Sequence, residues 1–153
     1  MYTRDEVKRI KEKFWTAFGQ YMGLNLSAEF EKINWINYRT GVKHLHFRMD
    51  ADKRSAIIMI ELAHPDAGIR RLMFEQFEAY QTMFKESVGA EWIWEVEAEN
   101  NYGKEISRIY TTIEGVNIFK EEDWFTLIDF FKPRLRALDA FWCDAKYGFD
   151  LFK

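Results

Sequence analysis

Three histidines and one glutamate supply the residue types from which a chemical site could be assembled: His44, His46, His64 and Glu61. A His-x-His spacing puts two imidazoles on one face of a strand. With a carboxylate they make a two-imidazole, one-carboxylate set that suits several divalent metals. His44, His46 and Glu61 are therefore the candidate metal ligands. Glu61 could also orient a histidine acting as general base, which makes Glu61 and His64 the candidate catalytic pair. The same residues fit a plain hydrogen-bonded surface pair on a half-covered sheet, since His-x-His alone is a weak signal.

Other chemistry-bearing residues fall in two places. Trp35 and Tyr38, close to Arg39 and Lys43, form an aromatic and basic surface, and these four are the candidate binding patch. Trp92 and Trp94 could stack bases in the manner of single-strand binders. Glu91, Glu95, Glu97 and Glu99 crowd the same segment and would repel phosphate, so core packing is the reading for those tryptophans. Arg4, Lys8 and Lys11 line one side of the first helix and suit solvent, a phosphate or an acidic partner. Cys143, at an apolar helical position, reads as buried and inert. The chain has no Gly-rich phosphate loop, nucleophile elbow or zinc-finger spacing.

The elements that must position these residues follow from periodicity. Thr3 and Glu6 match a capping box, and Val7, Ile10, Phe14, Phe18 and Tyr21 then recur at helical spacing. A period-two region predicts three strands over residues 33–38, 44–50 and 56–63, turning at 39–41 and at Asp52-Lys53. A two-residue turn there pairs Leu45, Phe47 and Met49 with Ile60, Ile58 and Ala56 on the core face. The opposite face then sets His44 against Glu61, His46 against Met59, Arg48 against Ile57 and Asp50 against Ser55. Pro65 opens a second helix, with Ile69, Leu72, Met73, Phe77, Tyr80, Phe84 and Val88 inward and Gly89 past its end. Trp92, Trp94 and Val96 begin a hairpin that turns at 100–104 and returns over 106–113. A last helix from Glu121 buries Trp124, Leu127, Ile128, Phe131, Leu135, Leu138 and Trp142, with Pro133 expected to kink or divide it. The order α-β-β-β-α-β-β-α predicts an α+β fold, an antiparallel sheet made of a three-strand meander and a hairpin with helices packed on it.

A chain of 153 residues suits one domain, residues 1–153, and an aromatic share of 18% supplies a large core. One cysteine allows no intrachain disulfide, which favours a cytoplasmic setting. The charged start from Met1 to Glu6 is unlike a signal peptide, and no stretch has the ~20 apolar residues of a membrane span. Net charge is −3, which argues against a protein built mainly to hold nucleic acid. It is uneven: residues 1–54 carry 11 Lys/Arg against 7 Asp/Glu.

Several segments together carry a resemblance: 32–38 with Thr40-Gly41, 47–52, 60–62 with His64-Pro65-Asp66, 107–110, and Asp123-Trp124 with Phe130-Phe131. Over nearly its whole length the chain resembles a bacterial family of domains of unknown function. Members occur alone or appended to predicted nuclease-like or restriction-type proteins. The family has no established catalytic residues to carry over. A restriction-type site would need an acidic residue across from a Glu-x-Lys. Ala63 stands where the lysine belongs, and the expected register puts Asp50 and Glu61 six residues apart, about 20 Å. The expected role is a non-catalytic binding or assembly module, self-associating as a homodimer and accessory to nucleic-acid-processing proteins, with a protein or nucleic acid partner and no cofactor. The competing expectation is a small metal-dependent hydrolase with a divalent metal at the His/Glu set.

Overall fold

A computed structural model describes residues 2–153, so Met1 of the charged start lies outside it. Helix α1 spans Arg4–Met22. The Thr3 hydroxyl accepts the Glu6 amide and the Glu6 carboxylate accepts the Thr3 amide, the reciprocal cap expected. Phe14, Phe18 and Met22 are its buried residues, whereas Tyr21 is exposed.

Residues 33–38 form no strand, which removes the third strand of the expected meander. The Asn34 carboxamide oxygen accepts the amides of Ile36 and Asn37 and coils the chain there. The alternation that suggested a strand instead turns Trp35 into the core from an irregular loop.

Strands β1 (Leu45–Ala51) and β2 (Ser55–Leu62) form the first hairpin. Its turn is wider than two residues, because the Asp52 carboxylate accepts the amides of Arg54 and Ser55 and Ala51 pairs with Ala56. Those hydrogen bonds, that of Arg54 foremost, hold the Asp52 carboxyl below the usual carboxylate range. The register moves by two residues, which preserves which side chains face inward. Every outward neighbour changes: His46 now faces Glu61, Arg48 faces Met59 and Asp50 faces Ile57.

Two helices follow, α2 (Ala67–Ala79) and α3 (Gln81–Ser87), where one was expected. Asp66 caps α2 by accepting the Ile69 amide, so Pro65 lies just outside the helix. The chain breaks at Tyr80, whose hydroxyl packs so closely on Gly148 that a Cβ there would collide with it. The buried face of α2 is Arg70, Met73, Phe74 and Phe77, a quarter-turn from the expected stripe, with Ile69 and Leu72 outside. Arg70 is tolerated inward because its guanidinium donates to the His64 carbonyl at 2.8 Å and reaches Glu105 at 3.5 Å.

Strands β3 (Ile93–Glu99) and β4 (Glu105–Glu114) complete a four-stranded antiparallel sheet of order β1-β2-β4-β3. A bulge between Glu95 and Ala98 interrupts β3. Helix α4 (Trp124–Ala145) is continuous through Pro133. Leu45, Phe47, Ile58, Ile60, Leu62 and Ile109 face inward under α2 and α4. The rings of Phe77, Phe141, Trp142 and Phe149 stack among themselves behind them. Trp92 is buried and Trp94 packs on Phe74 and Phe84, as expected for core residues. The helices thus cover one face of the sheet and leave the other open. No helix among the described residues is long and apolar enough to cross a membrane.

Candidate functional site

Strand periodicity places His46, Arg48 and Asp50 of β1, Ile57, Met59 and Glu61 of β2, Arg108 and Tyr110 of β4 and Ile93 and Glu95 of β3 on the open face. Read across the strands, His46, Glu61, Arg108 and Glu95 are successive partners. The Arg48 Nε–H donates to Glu61 Oε1 at 2.8 Å, and the Arg108 Nε–H to Glu95 Oε1 at 2.6 Å. The Arg108 guanidinium also lies 4.2 Å from the centre of the Tyr110 ring. Glu61 is only 6% exposed, a carboxylate on the outer side of a sheet that its arginine keeps paired. Arg48, Glu61 and Arg108, with Ile57 and Met59, floor a basin of about 480 Å³, walled at one end by Asn100, Asn101 and Tyr102 of the β3–β4 turn.

The three imidazoles do not converge on Glu61. His46 sits beside it. His44 lies just before β1 in a left-handed conformation, φ +66°, and its ring meets that of His64 edge-on at 4.9 Å. His64 Nδ1 accepts the Asp66 amide at 3.0 Å, which occupies that nitrogen. Among the described residues no group of three or more His, Cys, Asp or Glu side chains is placed to hold a metal ion. Asp50 lies four positions from Glu61 rather than six, about 13 Å along the strand, still too far to share a metal.

His46 is nonetheless perturbed. Burial, first, then the Arg48 charge and His44 lower its pKa, against an opposing pull from Glu61. The folded state therefore holds this proton less tightly than the unfolded one. Above the ordinary histidine value of about 6.5 the site contributes no pH dependence; as pH falls below it, stability is lost until the folded pKa is passed. Melting curves of the protein and of His46→Gln between neutral pH and pH 5 should show the steeper acid loss in the unsubstituted chain. Equal slopes would refute this origin.

The loop patch is rearranged by burial. Trp35 is in the core with its indole N–H on the Asn25 carbonyl, and offers no platform for stacking. Tyr38 is half-buried and donates its hydroxyl to Asp139 at 2.5 Å. Burial first, and then that hydrogen bond, hold the phenol above the ordinary tyrosine range. Asp139, 3% exposed, also accepts the Ala28 amide at 2.7 Å. Arg39 and Lys43 remain exposed. Arg39 lines a polar cleft of about 560 Å³ with Glu29, Lys32 and Lys146, and Lys43 does not. Cys143 is half-buried, its thiol pushed up to about 11 by burial and the Asp139 charge, so it is neutral and unreactive at neutral pH. Sequence reasoning missed Asp139, although an acid at a position flanked by Leu135, Leu138 and Trp142 on one helix face was a readable signal.

A family described as a domain of unknown function (DUF4268) matches residues 10–146. No curated protein and no solved structure matches the chain.

Proposed function

We propose a binding role for this chain, which belongs to the DUF4268 family of domains of unknown function. The domain is a non-catalytic protein-binding module, and its contact surface is the open face of the sheet. One observation carries this reading. The face not covered by helices combines two arginines, two glutamates and the apolar side chains of Ile57, Met59, Tyr110 and Ile93. That mixture of apolar and charged groups with an aromatic and arginine is typical of protein interfaces. Nucleic acid suits the surface poorly, because Glu61 and Glu95 stand beside the two arginines and their carboxylates oppose a phosphate backbone. A hydrolytic role is disfavoured by the same pairing, which commits the Glu61 carboxylate to Arg48.

A photo-crosslinking residue placed at Tyr110 or Ile93 tests this in cells. Expected is one discrete crosslinked species, lost when Arg48 is changed to Glu, and none from the same residue at exposed Glu78 on α2. Crosslinks from Glu78 with none from the sheet face would overturn the reading.

A further inference from the structure

We infer that the partner of the open sheet face is a second copy of this chain, paired about a two-fold axis that runs along the strands between β2 and β4. The inference rests on the binding role proposed above and names its partner. It follows from the order of charges. Across the four strands one paired row reads His46 on β1, Glu61 on β2, Arg108 on β4 and Glu95 on β3, the next reads Arg48, Met59, Tyr110 and Ile93, and the Arg48 guanidinium leans back onto Glu61: a basic end, then minus, plus, minus. A two-fold axis along the strands turns this order end for end. It lays β1 of one copy over β3 of the other, and β2 over β4, so that Glu61 meets Arg108 of the second copy, His46 meets Glu95, and Arg48 meets Ile93 one step from Glu95. A two-fold axis across the strands would lay β1 over β1 and oppose like charges, which costs free energy. An isologous contact requires a surface complementary to itself, and a glutamate and an arginine on the two central strands have that property in this orientation.

The outer members of the row have room for this. The Arg48 side chain is 54% exposed and that of Glu95 35%, despite their pairing within one chain, so each can take a second partner. Ile93, 49% exposed, lies level with Arg48 and so faces it across the contact, and Met59 and Tyr110 supply apolar contact near the axis. Four strands ~4.8 Å apart and seven residues at ~3.3 Å make a face of roughly 19 by 23 Å. That is the small end of specific interfaces, so the dimer is expected to be micromolar and to appear at high protein concentration.

Sedimentation equilibrium of the full chain, from about 5 to about 500 μM to bracket a micromolar dimer, tests the proposal. The unsubstituted protein should show reversible dimerisation. Arg48→Glu and Glu95→Arg should each weaken it by about tenfold or more, since each places like charges at both ends of the contact. An equimolar mixture of the two variants should dimerise again, as a heterodimer, because each carries the charge the other lacks. Circular dichroism checks that both variants are folded. Ile93→Arg is a second probe that breaks no hydrogen bond within the chain, and it too should weaken the dimer by facing Arg48 of the second copy. A monomer throughout, or a mixture no better than its components, would overturn the pairing. If the crosslinked species in cells is a different protein and the purified chain stays monomeric, the self-pairing fails while the binding role stands.

Discussion

Trp142→Ala should lower stability by about 4 kcal/mol, a large part of the ~5–15 kcal/mol that holds a domain together. Trp142 is 2% exposed and stands where the sheet, two helices and the C-terminal turn meet. Its ring lies 6.1 Å from Phe47 of β1, 6.2 Å from Phe77 of α2 and 5.1 Å from Phe149. Its indole N–H donates to the Thr40 carbonyl at 2.9 Å. Truncation opens a cavity between layers that cannot close together, since Phe47 is fixed by the strand ladder and Phe77 by its helix. Urea unfolding followed by tryptophan-independent circular dichroism measures the loss. Trp142→Phe should recover most of it and leave the Thr40 carbonyl unpaired. A loss under about 1 kcal/mol for the alanine variant, the size of an ordinary surface change, would refute this account.

Asp139→Ala should cost about 3 kcal/mol, a fall in Tm of about 6–12 °C for a chain of this size. One carboxylate satisfies two donors from the irregular loop, the Ala28 amide and the Tyr38 hydroxyl. Removing it deletes two hydrogen bonds to a charged acceptor at once, each of a kind that contributes about 1.5–3 kcal/mol when partly shielded from water, and leaves the half-buried Tyr38 hydroxyl without its partner. Tyr38→Phe deletes one donor and retains the Ala28 contact, so its effect should be smaller than that of Asp139→Ala. Thermal melts rank the two. The reverse ranking would mean that the phenol ring, and not the carboxylate, anchors the loop.

The elements with one strong local signal were legible. The Thr3–Glu6 cap, the Phe14 and Phe18 part of the α1 stripe and the strands of the two hairpins formed where their spacing put them. What failed was decided by side-chain hydrogen bonds that apolar periodicity does not report. Alternation over residues 33–38 is compatible with a strand, yet Asn34 supplies a competing local hydrogen-bonding pattern and Asp139 draws Tyr38 away. The face of α2 was misjudged because a charged residue counted against it, and only its partners, His64 and Glu105, make burial of Arg70 affordable. In the candidate site the inward and outward alternation of β1 and β2 was legible, whereas the neighbour of Glu61 was not. A single aspartate, Asp52, widens the turn and moves the whole pairing by two residues. His44 and His64 then fall off the strand ends, and the expected imidazole cluster divides.

The stitches between the loop and the last helix join residues far apart along the chain. Ala28 and Asp139 are separated by 111 positions, Tyr38 and Asp139 by 101, Thr40 and Trp142 by 102. During synthesis the loop must therefore wait for roughly a hundred further residues to emerge, several seconds at ribosomal speeds of ~5–20 residues per second. Until α4 arrives, the Ala28 amide, the Tyr38 hydroxyl and the Thr40 carbonyl lack their partners, and the nascent loop hangs unfastened beside a sheet still being made.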